Sequence, residues 1–293
     1  MSRPIVTPAR FLGPVSLPPE VQDCRVVQQP EQSTVNIVGE RAPLASLRRD
    51  VAPLRRIAVL TDAHANLPAL EAALQTITSM SCDGIYHTGD LIGIGPFPAE
   101  SLQLALRTPK LRMTLGNHEV MFAHGLPHPR PKWMSEGEEA HQQWVHAQLD
   151  PALRAVVAQW PLVIEEDICS LRIALLHYAL AGSPGQFRSA LRDPSRGDLD
   201  RLFSPYRADL VFYGHSHRAS DVQGQARYVN PGSLGCFSEA VARFAVLDVR
   251  PDGTYELSQH AAPYDDASLL REFERRDVPD RDFIIAKLLW RTS

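Results

Sequence analysis

The stretch Arg56-Ile57-Ala58-Val59-Leu60-Thr61-Asp62-Ala63-His64-Ala65-Asn66-Leu67 decides the fold. Ile57 to Leu60 is a buried strand by composition, and the chain then turns through Asp, His and Asn into a segment of different period. From Leu67 to Met80 the apolar residues Leu67, Leu70, Ala73, Leu74 and Ile77 recur at helical spacing, with Asn66 placed to cap the helix start. Gly84-Ile85-Tyr86 reads as a second strand, Pro98 to Leu106 as a second helix and Leu111 to Leu115 as a third strand. A β-α-β-α-β order predicts parallel strands joined by helical crossovers.

Further along, a helical stretch runs over about Glu136 to Trp160. Val163 to Glu165, Leu171 to Leu176, Leu210 to Tyr213, Arg227 to Val229, Ala242 to Val249 and Tyr255 to Ser258 read as strands, with a helix near Asp198 to Phe203. The later strands are separated by turns such as Pro251-Asp252-Gly253, which favours antiparallel neighbours. Amphipathic helices follow near Ala267 to Arg275 and Phe283 to Trp290. Two mixed sheets flanked by helices, an α/β (α+β) class, fit this order. Before Arg56 the pattern is lost: prolines recur from Pro4 to Pro53, and residues 1–55 read as an extended arm with one short strand at Thr34 to Val38.

The chain of 293 residues is 44% hydrophobic, enough for a large core, and has no apolar run long enough to span a membrane. The proline-broken start offers no secretory signal, so a cytoplasmic location is expected. Cys24, Cys82, Cys169 and Cys236 lie far apart, which argues against structural zinc and a disulfide framework and suits a reducing compartment. A formal charge of −4 argues against general nucleic-acid binding.

Five segments place His, Asp or Asn directly after a strand: Asp62-Ala63-His64, Gly89-Asp90, Gly116-Asn117-His118-Glu119, His177 and Gly214-His215-Ser216-His217. Ligands at the ends of neighbouring strands converge on one point. Imidazole, carboxylate and amide oxygen form a mixed, fairly hard donor set that suits manganese, iron, zinc or nickel, with no thiolate taking part. Asp62, His64, Asp90, Asn117, His177, His215 and His217 are too many donors for one ion but the right number for two ions sharing a carboxylate.

The ordered set Asp-x-His, Gly-Asp, Gly-Asn-His-Asp/Glu, His and Gly-His-x-His resembles the calcineurin-like metallophosphoesterases. Asp62 to Leu67, Gly89-Asp90-Leu91 with Gly95-Pro96, and Asn230-Pro231-Gly232-Ser233 resemble the small bacterial and archaeal phosphodiesterases among them. The likeness runs from about Arg56 to the C-terminus, through Ala262-Pro263-Tyr264-Asp265, and leaves out the arm.

This resemblance implies a four-layer αββα sandwich over residues 56–293 and two divalent transition-metal ions, with manganese first among iron, nickel, zinc and cobalt. By it, Asp62, His64, Asp90 and His217 hold one ion, and Asp90, Asn117, His177 and His215 the other, with Asp90 as the bridge. A hydroxide between the ions would attack the phosphate ester. His118 would bind the phosphoryl oxygen or protonate the leaving group, with Glu119 orienting it. Three positions depart from the family pattern: Ala65 and Tyr178 stand where Gly is usual, and Glu119 where Asp is commoner. Tyr178 would narrow the site, stack on a base or pack in the core. Asn66 is first a cap, close enough to touch substrate.

His87 reads as a satisfied strand histidine, and His124, His128, His141 and His146 as surface residues. Arg188 and Arg218 are candidates to neutralise phosphate. The helical insertion at about 120–160, with Trp133, Trp144 and Trp160, would form a cap that sets substrate size. A small phosphodiester or nucleotide substrate is expected, with oligomers allowed. The competing readings are a phosphomonoesterase, including a protein phosphatase, and a non-catalytic scaffold. The scaffold reading is disfavoured because every ligand position and His118 are filled; a mononuclear hydrolase would leave several donors without a role.

Overall fold

The computed structural model describes residues 54–182 and 185–287. The arm with its Thr34–Val38 segment, and the part of the expected Phe283–Trp290 helix beyond Lys287, lie outside them.

Two five-stranded sheets form the centre. In the first, β1 (Arg55–Leu60), β2 (Gly84–His87) and β3 (Leu111–Met113) run parallel. The long hairpin of β9 (Val241–Val249) and β10 (Tyr255–Pro263) adds antiparallel to β1, giving the order β10-β9-β1-β2-β3. The second sheet has the order β4-β5-β6-β8-β7. Here β4 (Val163–Ile168) and β5 (Leu171–Leu176) form a hairpin. β6 (Leu210–Phe212) and β8 (Arg227–Asn230) continue parallel to β5, and β7 (Ser220–Gln223) closes the edge antiparallel.

Alternation along β1 explains the layering. Ile57 and Val59 point into the space between the sheets, where they pack with Leu175, Phe212, Val229 and Leu247. Ala58 and Leu60 point the other way, onto Leu70, Ala73 and Ile77 of α1 (Leu67–Ser79). A strand covered on both faces must be apolar at every position, and each large aliphatic buried this way contributes about 1.5–3 kcal/mol. On the far side, α6 (Arg196–Leu202) lays Leu199 against Val211, Tyr213 and Tyr228 of the second sheet. The result is the four-layer αββα sandwich. α1 starts where Asn66 Oδ1 accepts from the Ala69 amide at 3.2 Å, as its capping role requires.

The remaining helices are α2 (Pro98–Arg107), α3 (Asn117–His124), α4 (Glu136–Gln148), α5 (Arg154–Val157), α7 (Asp266–Arg275) and α8 (Arg281–Lys287). Several boundaries differ from expectation: β10 runs on to Pro263, β7 was not expected, and three more follow. The third strand stops at Met113 because the Leu115 amide leaves the ladder for the Pro161 carbonyl, at 2.9 Å. The helical stretch to Trp160 is interrupted after Gln148: Asp150 caps a single 3₁₀ turn at Pro151–Leu153, since the proline ring disfavours helix at the residue before it. The fourth strand extends past Glu165 to Ile168.

Candidate metal centre

Strands β1, β2, β3, β5 and β6 all end on the same side, and the candidate donors occupy the turns that leave them. Those turns are tightly wound. Asp62, His64, Asp90, His215 and His217 have φ of 52°, 49°, 57°, 68° and 58°, the left-handed region that side-chain-bearing residues seldom adopt. Such conformations cost about 1–3 kcal/mol each and persist only where the surroundings enforce them. Here the enforcement is a set of backbone hydrogen bonds between turns. The Asp62 amide donates to Gly89 O (3.1 Å), His64 to Asp90 O (2.9 Å), and Gly214 to His177 O (2.9 Å). Two glycines permit the close approach: a Cβ on Gly116 would lie 2.2 Å from Asp90 Oδ1, and one on Gly214 would lie 1.9 Å from Thr61 Oγ1.

The structure brings all seven candidate side chains together, in two overlapping groups. In one, His64 Nε2 and His217 Nε2 are 2.8 Å apart, with Asp62 Oδ1 at 3.7 and 3.8 Å from them. In the other, His177 Nε2 is 3.1 Å from both Asn117 Oδ1 and His215 Nδ1, and 3.2 Å from Asp90 Oδ2. Asp90 Oδ2 also lies 3.9 Å from His64 Nε2, so one carboxylate reaches both groups. Ligands about 2.1 Å from a shared ion stand roughly 3.0–3.4 Å apart; the second group, at 3.1–3.2 Å, lies in that range, and the first, at 2.8–3.8 Å, spreads to either side of it.

The electrostatics agree. Burial, with the neighbouring imidazole His217, holds His64 well below its ordinary range. Burial and His177 bring His215 down to about 3. Both imidazoles therefore stay neutral, as ligands must. Burial opposes charge on His177 too, but the adjoining Asp90 carboxylate outweighs it and raises this group to about 9. The Asp90 carboxylate thus favours positive charge at this corner. His177 Nδ1 donates to Thr88 O at 3.0 Å, which turns Nε2 toward the cluster.

His118 flanks the cluster, its Nε2 3.9 Å from Asp90 Oδ2 and its amide donating to Asp90 Oδ1 at 3.0 Å. Its orientation comes from elsewhere than expected. Glu119 does not touch the His118 ring; its carboxylate accepts from the amides of Asp90 (2.7 Å), Leu91 (2.9 Å), Ile92 (3.1 Å) and Gly116 (2.9 Å). A buried carboxylate takes the donors nearest to it, and these unpaired turn amides are nearer than the imidazole. The partner of His118 Nδ1 is Gln142 Nε2 of α4, at 2.9 Å. Gln142 shares a helix face with buried Val145 and Leu149, and a polar residue in that apolar stripe is the one sequence signal that marks it.

Other expectations are revised by burial. Tyr178 is 1% exposed and lies behind His215, in ring contact with it and with Phe203 and Tyr213, so it packs in the core and not against a substrate. Asn66 spends its amide on Gly235 O and the Tyr264 hydroxyl, at 2.9 and 3.1 Å, which leaves it beneath the site. His87 is buried in β2 as expected, but neither ring nitrogen has a partner among the described residues, and burial lowers it to about 3. His141 is buried, packed on Trp144, and not a surface residue, and His146 is half-buried; His124 and His128 are exposed. Arg188 bonds Leu180 O and Arg218 pairs with Asp193, and neither lines the cleft.

That cleft has a volume of about 440 Å³. Its floor is His64, Asp90, Asn117, His118, His215 and His217, and its walls carry Trp133, Ser135, Glu138, Phe283 and Ile284. Phe283 and Glu138 had no distinguishing pattern in the sequence.

A family model described as the calcineurin-like phosphoesterase superfamily domain matches residues 56–252. The uncharacterized protein MJ0912 of Methanocaldococcus jannaschii is 28% identical over 163 residues, 55% of this chain and 62% of that protein, so the match spans less than two thirds of that relative. Among solved structures, the hypothetical protein PH1004 from Pyrococcus horikoshii OT3 superposes with a TM-score of 0.66 at 21% identity, over 80% of this chain and 98% of that one. A metallophosphoesterase from Sphaerobacter thermophilus superposes with a TM-score of 0.58 at 20% identity, with the same coverage. At these identities the superpositions show a shared fold. Among the described residues, no helix is long and apolar enough to cross a membrane.

Proposed function

The chain belongs to the calcineurin-like phosphoesterase superfamily, and on that premise we propose that it is a dinuclear metal-dependent phosphoesterase acting on a small phosphodiester or nucleotide. One observation carries this reading: seven imidazole, carboxylate and amide side chains from five turns converge at 2.8–3.9 Å, and five of them hold a left-handed backbone. Asp62, His64, Asp90 and His217 would hold one divalent ion, and Asp90, Asn117, His177 and His215 the other. Manganese is the first choice for a hard oxygen–nitrogen set. When bound, such a pair supplies an activated water at neutral pH and neutralises phosphoryl charge.

The chain's own groups do the rest. Gln142, donating to Nδ1, leaves the His118 proton on Nε2, the nitrogen that faces the cleft. From there His118 donates to a phosphoryl oxygen or to the departing alkoxide. The insertion at about 120–160 acts as a cap: its Trp133 and the Phe283 ring of α8 are 67% and 54% exposed on the cleft walls, which suits an ester with a planar group. No arginine or lysine lines the cleft among the described residues, which favours a diester over more highly charged monoesters.

The test is hydrolysis of bis-p-nitrophenyl phosphate and p-nitrophenyl phosphate by metal-stripped protein, with and without Mn2+. Manganese-dependent turnover of the diester is the expected result. Turnover confined to the monoester would shift the assignment to a phosphomonoesterase. Absence of both, with no metal retained on purification, would sink the enzyme reading.

A further inference from the structure

Cys236 lies in a loop held against the turn that carries Asp62 and His64. The Ser233 hydroxyl donates to Asp62 O at 2.7 Å and accepts from the Cys236 amide at 2.8 Å. The Gly235 amide donates to Asp62 O at 3.0 Å, and Asn66 holds Gly235 O. The sulfur is therefore fixed relative to the same backbone that positions the first donor group.

Its surroundings are two-sided. One side packs with Ile94, Leu269 and Phe273, the ordinary role of a buried cysteine. On the other, Cys236 Sγ and a donor nitrogen from each of His64 and His217 lie within 4.8 Å of one another. Cys82 is also buried, yet it joins no such cluster among the described residues. His64 is 1% exposed, and its Nδ1 has no hydrogen-bond partner among the described residues.

We propose that Cys236 supplies a sulfur donor to the ion position formed by Asp62, His64 and His217, and that this position favours thiophilic divalent ions. The position formed by Asp90, Asn117, His177 and His215 has no sulfur in its cluster among the described residues and keeps the harder preference. The two positions then load unlike ions, zinc, cobalt or iron at one and manganese at the other. Ligation forms a metal–sulfur bond as the thiol proton passes to solvent. This rests on the two-metal reading above and replaces the expectation that no thiolate takes part.

The experiment is titration of the metal-stripped full-length protein with Co2+, followed by absorbance. A sulfur-to-cobalt charge-transfer band in the near ultraviolet, saturating at one ion per chain, is expected. It should vanish in Cys236→Ser and Cys236→Ala, persist in Cys82→Ser, and leave the visible cobalt bands in place. Zinc affinity of Cys236→Ser should fall about tenfold or more while manganese affinity holds. Melting curves of the metal-stripped variants, matched to the parent, establish that folding is intact; a variant that melts early is replaced by the other substitution. Cobalt bound without the band, or a band that survives Cys236→Ser, overturns the sulfur ligand and leaves the phosphoesterase reading standing. Failure to bind cobalt at all overturns both.

Discussion

His64 and Trp133 sit in one cleft and differ in almost every physical respect. His64 is 1% exposed, held in a left-handed turn and locked by a backbone hydrogen bond to Asp90 O. Trp133 is 67% exposed and presents an indole face to solvent. The floor gives up conformational freedom so that donors cannot adjust; the wall keeps large apolar surface uncovered where a ligand would cover it. On the proposed function, the difference means that chemistry and selection would be separable in this molecule: the floor would set which reaction is possible, and the wall which ester reaches it.

The comparison can be tested from the floor upward. Asp90→Asn, which removes the carboxylate shared by both donor groups, should cut metal-dependent diester turnover roughly 10⁴-fold, with metal content falling in parallel. A variant that kept both ions and parental turnover would break the assignment of Asp90. His118→Ala should keep the ions and lose about 10²–10³-fold in kcat. Parental rates there would remove His118 from the chemistry. Gln142→Leu, one step back from the floor, should cost about tenfold in kcat with KM and metal content little changed; a loss expressed in KM alone would make Gln142 part of the wall. Trp133→Ala is the smallest effect. It should raise KM about threefold for an aryl or nucleoside ester and not for a methyl ester, with stability within about 0.5 kcal/mol of the parent. Equal changes for both esters would mean that the wall does not select.

The same division decided what could be read in advance. The candidate donors were legible because a metal site would demand His, Asp and Asn, and strand-end geometry demands that each follow a buried apolar run, as Leu60 precedes Thr61-Asp62 and Phe212 precedes Tyr213-Gly214-His215. Both demands leave marks on a linear chain. The sandwich was legible for the same reason, since β1 needs cover on both faces. Supporting roles left no such mark. Glu119 next to His118 invited a pairing that the turn amides of Asp90 and Leu91 won instead. Gln142 reaches His118 only because α4 folds back over the site, a long-range contact that spacing cannot reveal. His141 looked like any histidine of a polar helix, and its burial depends on packing against Trp144 and on a hydrogen-bond contact with Pro279 O.

Glu119 carries one more implication, for motion on slow timescales. The amide protons of Asp90, Leu91, Ile92 and Gly116 all end on its two oxygens, so this side chain ties the β2 turn to the β3 turn. These four protons should exchange with deuterated solvent as one cooperative unit, opening together when the carboxylate lets go, and Glu119→Gln should accelerate all four alike. Scattered exchange rates would mean that each turn breathes on its own.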